Sequence, residues 1–525
     1  MEPLCVRQTS IPGTTKLFGD FLYHFDKVSR FYHKHFSDGA AWRKAAKEID
    51  YPEERRGRLV EALREQNGDS ESLSKLAQPG TVTVVTGQQV GLFGGPAYSL
   101  FKALTAVKLA GQLEEQGIPA VPIFWLATED HDLAEVDHAW IFNEQASIKR
   151  VELSNTVATG GPVGDVKLNG APLAELRSAL GELPFAEEVV ARLEKSYCPG
   201  ATVGSAFQSF FRDLLKDFGL LFFDPLVPAS RAIAAPFLAK AVGRIADVVP
   251  DLRRRDKELT EAGYHAQVHV EQDTSLLFLI HEGKRIPLRY KEGRFAARDH
   301  SYSVEELQGQ SLKLSPNALL RPVMQDYLLP TIAYVGGPSE IAYMAQAEVL
   351  YRTLLGRMPI IFPRNSYTLL DRKSEKIVQR YHLSPPQLLG PREQIESRIA
   401  ASLVPPEMLD EFHSIHSTVD GALIKFRSHL SAFDPTLEDS AQKSAAKVRY
   451  QLEKLSHKAA KEAMRRNEQA LRSAEYLANF VYPHRHLQER FYSIVPFLAK
   501  YGMDLPGQLL NETQLVCPDH IVRTL

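Results

Sequence analysis

The stretch from Thr81 to Asp132 constrains the fold more than any other part of the chain. It reads TVTVVTGQQVGLFGGPAYSLFKALTAVKLAGQLEEQGIPAVPIFWLATEDHD. A β-branched run is followed by a glycine-rich turn, a long amphipathic segment, and a second apolar run that ends in acids and a histidine. Val82, Val84 and Val85 read as a short buried strand, and Gly87 permits a turn that a Cβ would obstruct. Leu100, Phe101, Leu104, Val107 and Leu113 recur at the three-and-four spacing of a helix, with Lys102, Lys108 and Glu115 on its other faces. Gly117 and Pro119 stop that helix, and Val121, Ile123, Phe124 and Trp125 read as a strand covered on both sides. The unit is a strand, a crossover helix and a parallel strand, so ligands are expected beyond the carboxyl ends of the strands.

Two loops fall at those ends. Gly87, Gln88 and Gln89 follow the first strand, and Glu129, Asp130, His131 and Asp132 follow the second. Consecutive ionisable side chains after so apolar a strand repel one another unless they are solvated, hydrogen-bonded or facing a ligand. The plainer alternative for them is a solvated helix cap. A second block, Ser315 to Gln346, has the same grammar: Thr331 to Val335 form a strand, Gly336, Gly337 and Pro338 turn the chain, and Ser339 can cap a helix beginning near Glu340. Two glycine-rich turns in one sheet can face a shared crevice and offer amides to a carboxylate or phosphate. Arg321 adds a planar donor fork upstream, with an internal ion pair as its alternative role.

Charge and length narrow the function classes. The 525 residues carry 62 Lys plus Arg against 64 Asp plus Glu, which gives no global attraction to nucleic acid or an anionic membrane. The chain lacks a run of about twenty apolar residues and a secretion-signal pattern at its start, so a cytoplasmic protein is expected. Cys5, Cys198 and Cys517 are far apart and odd in number, which argues for neither a disulfide framework nor a zinc motif. His265 and His269 would share a strand face without enough donors for a metal, and no metal site is expected.

Elsewhere the pattern marks the supporting parts. Phe18, Phe21, Leu22, Phe25, Val28, Phe31 and Tyr32 sit at helical spacing and read as core. A stripe at Phe207, Phe210, Phe211, Leu214 and Leu215 precedes the apolar run Leu220 to Phe223, a second βα-type element. Insertions are expected near 145–200, polar and glycine-broken, and near 255–310, where short alternating runs such as Gln267 to Val270 and Leu276 to Ile280 suggest antiparallel strands. Ala441, Ala445, Val448, Leu452, Leu455 and Ala459 step by fours and threes, the seam of a helical hairpin or coiled coil that can also join two subunits. The expected division is a core over 1–385 holding both insertions, a helical domain over 386–482, and a segment 483–525 that packs back on the core.

The motifs TGQQVGLFGGPAYSLFK, FWLATEDHD, SPNALLRPVMQDYLLP, VGGPSEIAYMAQ and LQERFY closely resemble those of the BshC family, the cysteine-adding ligases of bacillithiol synthesis. The resemblance covers most of the chain. It implies an α/β fold: a Rossmann-like parallel-sheet core with small connecting-peptide insertions and an α-helical coiled-coil domain used for dimerisation. It also implies the last pathway step, addition of cysteine to glucosaminyl malate. Forming that amide requires activating a carboxyl group, so ATP or ADP is the expected cofactor, with Mg2+ a plausible companion. Lys102 and Arg321 are then candidates for holding phosphate charge, and His131 and Asp132 for accepting the amine's proton. Glu129 and Asp130 would orient substrate amines, while Gln88, Gln89 and the Gly336-Gly337 turn position polar groups, joined by Gly87, Glu340 and Tyr343. A nucleotide pocket between core and helical domain would use Asp371, Arg372, Lys373, Arg490 and Tyr492; an interdomain ion-pair network is the alternative. The competing functions are a tRNA-linked aminoacyl-transfer enzyme and a noncatalytic dimeric scaffold.

Overall fold

The computed structural model describes residues 4–154, 160–298 and 300–525, so 155–159 of the first expected insertion and 299 of the second lie outside the described residues. Five parallel strands form the central sheet. In chain order these core strands are Val82–Gln88, Ala120–Leu126, Leu221–Phe223, Thr331–Gly336 and Ile360–Pro363. In space the order is fifth, fourth, first, second, third. The chain therefore builds outward on both sides of the first strand, and the strand order reverses between the first and fourth. At such a reversal the following loops part to opposite faces and leave a crevice beyond the strand ends.

The helix Tyr98–Glu115 crosses over between the first two core strands. It packs on the sheet and also against Ser366–Leu370 and Leu505–Glu512. Sheathed on both sides, it buries Lys102 as well as its apolar stripe. Phe21, Val28, Phe31 and Tyr32 of the amino-terminal helices join the same apolar core as the sheet.

Gly87 lies inside the first core strand, opposite Trp125. A Cβ there would sit 2.7 Å from the Trp125 carbonyl oxygen, so the glycine serves close strand packing rather than the turn expected of it. The turn comes later, where Phe93, Gly94 and Gly95 take positive φ.

The second insertion forms an antiparallel sheet in the order His300–Tyr302, Arg294–Ala297, Lys284–Lys291, Thr274–His281, Leu314–Pro316. The run Gln267 to Val270, expected as a strand, is loop instead. The Gln346 side chain takes both the N–H and the carbonyl of Val268, the groups a strand would pair. His265 and His269 are exposed in that loop and share no strand face. In the first insertion, the hairpin His138–Phe142 with Ile148–Glu152 and the helices Leu173–Leu180 and Ala186–Ser196 share a second apolar core.

Two helices of 28 residues, Pro406–Phe433 and Glu438–Arg465, fold back on each other about Pro435–Leu437. Asp420 accepts from Arg449 across the pair at 2.6 Å. Ala445 is buried in the seam, but Val448 and Leu455 are 40% and 55% exposed. One partner helix covers only a narrow stripe, and these two residues fall on its open side. No described helix is long and apolar enough to cross a membrane. The chain ends in a small sheet ordered Leu4–Val6, His520–Thr524, Ser366–Leu370, which returns the carboxyl terminus to the core.

Candidate active site

A crevice of about 410 Å3 opens where the strand order of the sheet reverses. The first core strand contributes Gly87 and Gln88, the fourth leads into Gly337, and the fifth leads into Arg364. Pro316, Asn317 and Arg321 close one side, and Phe278 and Arg285 of the antiparallel sheet reach over it.

At the floor, Lys102 donates to the Gly87 carbonyl and to Gln88 Oε1, both at 2.9 Å, and pairs with Glu340 Oε2 at 2.6 Å. All three ammonium protons thus find acceptors. Burial pushes Lys102 down to about 8 despite that carboxylate. Burial also opposes ionisation of Glu340, but Lys102 and the Gly337 N–H outweigh it and hold the carboxyl below its ordinary value. Glu340, not Ser339, caps the helix Pro338–Leu354, accepting from Gly337 N at 2.8 Å, and it also accepts from the Tyr334 hydroxyl at 2.5 Å.

The walls are cationic. Arg321 donates to the Tyr343 hydroxyl at 2.7 Å. Arg364 grips Glu489 with both arms of its guanidinium, at 2.6 and 3.0 Å. Glu489 is saturated by further bonds from Ser366 Oγ and Tyr367 N. Tyr98 offers its ring to Arg364, Arg490 and Lys102. The exposed Arg490 guanidinium makes no ion pair among the described residues, which leaves it open to an anionic ligand. On the acidic side, burial raises the Glu129 carboxyl although Arg231 pairs with it at 3.1 Å. Asp130 accepts from Gln89 at 2.8 Å and from His131 N at 2.7 Å; these bonds and the Arg285 charge overcome burial and lower it.

Of the residues singled out from the sequence, Gly87, Gln88, Gln89, Lys102, Glu129, Asp130, Arg321, Gly337, Glu340 and Tyr343 line this one crevice. Gly336 ends the fourth strand directly behind them. His131 stands at the rim, its Nδ1 3.1 Å from the Arg285 guanidinium and its ring beside Phe278. Asp132 is outside the lining and caps Ala134 N. The proposed nucleotide group separates into three places. Asp371 accepts from Ser374 N, Tyr476 and Lys500, while Lys373 lies over the Tyr476 ring and Arg372 is exposed at the start of the helix Arg372–Arg380. Tyr492 is fully buried, its hydroxyl donating to Asn479 O. Arg490 belongs to the crevice.

Sequence reading missed Arg364, Glu489, Arg285 and Tyr98. Arg364 had a signal, since it follows the apolar run Ile360 to Phe362 and Pro363 at a strand's carboxyl end.

A second cavity of about 400 Å3 adjoins the first, and Arg490 lines both. Trp140 stacks on Phe491 in its wall, 4.8 Å between ring centroids, with His138, His484 and His486 around them. Among the described residues, no three His, Cys, Asp or Glu side chains converge as a metal cage.

Two family profiles cover the chain. Residues 4–365 match "Bacillithiol biosynthesis BshC, N-terminal Rossmann-like domain" and 367–525 match "Bacillithiol biosynthesis BshC, C-terminal coiled-coil domain". The chain belongs to the BshC family. Members similar to it carry the name "Putative cysteine ligase BshC". One from Solibacter usitatus is 49% identical over 522 residues, 99% of each chain. Another, from Koribacter versatilis, is 38% identical over 99% of each chain, and one from Geobacillus kaustophilus is 28% identical over 96% of this chain and 97% of its own. The Rossmann-like core and coiled-coil domain expected of BshC are those described above.

Proposed function

We propose that the crevice joins the carboxyl group of cysteine to the amine of glucosaminyl malate, after a nucleotide has activated that carboxyl as an acyl phosphate or acyl adenylate. The observation that carries this reading is the meeting of Lys102, Arg285, Arg321, Arg364 and Arg490 with Glu129 and Asp130 in one cleft at the strand ends. Malate contributes carboxylates and activation adds phosphate, and both call for fixed cations. The amine substrates call for carboxylates.

The attacking amine must lose a proton as the amide forms. Glu129, raised by burial, is the acceptor best suited to that task. His131 is the alternative acceptor. Its Nδ1 lies between the Arg285 guanidinium at 3.1 Å and the Asp130 carboxylate at 3.5 Å, which fixes the ring at the rim of the crevice. Lys102 and Arg321 stabilise charge on the phosphoryl or acyl oxygens. The adjoining cavity supplies the nucleotide base with the Trp140 and Phe491 rings, and Arg490 bridges base and phosphate. A magnesium ion would enter with the nucleotide, taking most of its ligands from phosphate and water. A second copy of the chain covers Val448 and Leu455 on the open side of the helical hairpin, giving a homodimer.

The test is reconstitution with cysteine, glucosaminyl malate and a panel of nucleotides, following product mass and nucleotide by-product. Product is expected with a single adenine nucleotide, and Glu129→Gln should lose product while nucleotide binding persists. No product with any nucleotide, together with salt-dependent tRNA binding, would move the reading to aminoacyl transfer from tRNA. Absence of substrate and nucleotide binding altogether would leave a scaffold.

A further inference from the structure

Cys5 and Cys517 stand 512 positions apart in sequence, yet their sulfurs are 3.8 Å apart. Cys5 is the middle residue of the strand Leu4–Val6, which runs antiparallel to His520–Thr524 with Cys5 opposite Ile521. Cys517 lies in the bend that leads into that last strand, and the bend is fixed on both sides. Upstream, the Asn365 amide donates to Gln514 O at 2.7 Å and accepts from Gln514 N at 2.9 Å. Downstream, Gln8 Nε2 donates to Pro518 O at 3.3 Å and the Tyr23 hydroxyl donates to Asp519 Oδ1 at 2.5 Å. The pairing of the terminal strands thus brings the two thiols together. Cys5 is exposed and Cys517 half-buried, so a small reagent reaches both. A disulfide needs about 2.05 Å between sulfurs, and closing the gap takes a shift of roughly 2 Å, within reach of side-chain rotation.

We propose that Cys5 and Cys517 form a reversible thiol-oxidation site that takes a low-molecular-weight disulfide as oxidant and closes into a staple between the two ends of the chain. Partial burial first, then the Cys517 sulfur and the Asp519 carboxylate, push the Cys5 thiol up to about 11. That disfavours the Cys5 thiolate, so the exchange runs with Cys517 as first nucleophile, and the reverse order yields the same disulfide. The Cys517 thiolate attacks one sulfur of the reagent, RSSR, breaking its S–S bond and releasing RS−, which takes up the proton Cys517 had lost. Cys5 then gives its proton to solvent and attacks the Cys517 sulfur of the mixed disulfide, expelling the second RS−, which is protonated in turn. The two protein thiols are oxidised to one disulfide, and RSSR is reduced to two RSH.

The staple acts on an element that supports the crevice. Three residues after Cys517, the buried His520 ring bonds Ser366 Oγ at 2.6 Å and Thr368 Oγ1 at 2.8 Å. Ser366 in turn donates to Glu489, the carboxylate that grips Arg364. The proposal does not depend on which reaction the crevice carries out.

The experiment uses the full chain with the exposed Cys198 replaced, Cys198→Ser, incubated with oxidised glutathione and read by intact mass and peptide mapping. The expected product is lighter by two hydrogens, retains no glutathione, yields a linked peptide pair containing positions 5 and 517, and reverts with dithiothreitol. Its thermal unfolding midpoint rises on oxidation and falls back on reduction. Adding Cys5→Ser should stop the reaction at a glutathione adduct on Cys517. Two thiols left free, adducts that never close, or a disulfide joining two copies of the chain would each overturn the proposal. Titration of the unmodified chain with an aromatic disulfide gives an independent count of reacting thiols, whatever the variants do to folding.

Discussion

Replacing Glu340 by Gln tests the electrostatics at the floor of the crevice. The change keeps the shape of the side chain and removes the charge. Lys102, 2% exposed, would then be a buried ammonium with only neutral acceptors, the Gly87 carbonyl and Gln88 Oε1 among them. Breaking a buried pair from one side typically costs about 3–5 kcal/mol, because the remaining charge is left uncompensated. An unfolding entropy of about 2.1 cal/mol/K per residue makes 1 kcal/mol worth about 1.3 °C for a cooperative unit the size of the Rossmann-like domain, so the midpoint should fall by about 4–7 °C. The double variant Lys102→Met/Glu340→Gln removes both charges and should recover most of that loss.

The pH dependence has a definite sign. Lys102 titrates at about 8 when folded, against an ordinary value of 10.5. Between those values the folded chain binds fewer protons, so stability rises with pH, is fully present above the unfolded value and is lost as pH falls through about 8. The displacement corresponds to about 3 kcal/mol. In the Glu340→Gln variant, which loses the carboxylate that holds Lys102 up, the loss should run on to lower pH and grow larger, and in Lys102→Met it should vanish. Scanning calorimetry from pH 7 to 10.5 reads all three. If Glu340→Gln shifts the midpoint by under about 1 °C, or the two substitutions simply add, the charged-pair account is wrong.

Three further outcomes follow from other parts of the molecule. His520, pushed down to about 4 by burial against an ordinary value of 6.5, should make the chain lose stability as pH falls from 6.5 towards 4, and His520→Gln should flatten that limb in calorimetry at acid pH. Glu489→Gln should raise the KM for glucosaminyl malate at least tenfold with a smaller change in kcat, because it frees Arg364 to move without removing it; Arg364→Lys, which keeps the charge but loses the fork, should do the same. Val448→Glu should convert a dimer to monomer in analytical ultracentrifugation with little change in thermal midpoint, since the side chain is already 40% exposed within one copy.

Much of the sheet is legible in the sequence because its strands are short, apolar and bounded by glycine or proline. Val82 to Val85, Val121 to Trp125 and Thr331 to Val335 all fall within observed strands. The strand ends then locate the crevice, since polar residues that follow apolar runs in parallel strands collect along one edge of the sheet. What the sequence does not carry is pairing over long distances. Lys102 looks like a solvent-facing residue of an amphipathic helix until the carboxyl-terminal segment is seen to cover that helix. Glu489 reads as one acid in a polar stretch, yet its partner Arg364 is 125 positions away. Asp371, Arg372 and Lys373 look like a charged loop, whereas Asp371 is spent on capping its own helix and anchoring Tyr476 and Lys500. Val448 and Leu455 fit the hairpin seam by spacing, but heptad counting does not tell which side a lone partner helix covers.

The Glu340 carboxylate serves three masters. It starts a helix by holding the Gly337 amide, neutralises Lys102, and anchors the Tyr334 hydroxyl. Aspartate at this position would fall a methylene short of at least one of them, and glutamine would keep an acceptor but lose the charge that neutralises the lysine. An engineer wishing to retune the lysine's basicity therefore has no independent dial at position 340, and would have to work from the Gln88 side, where the contact is a single neutral oxygen.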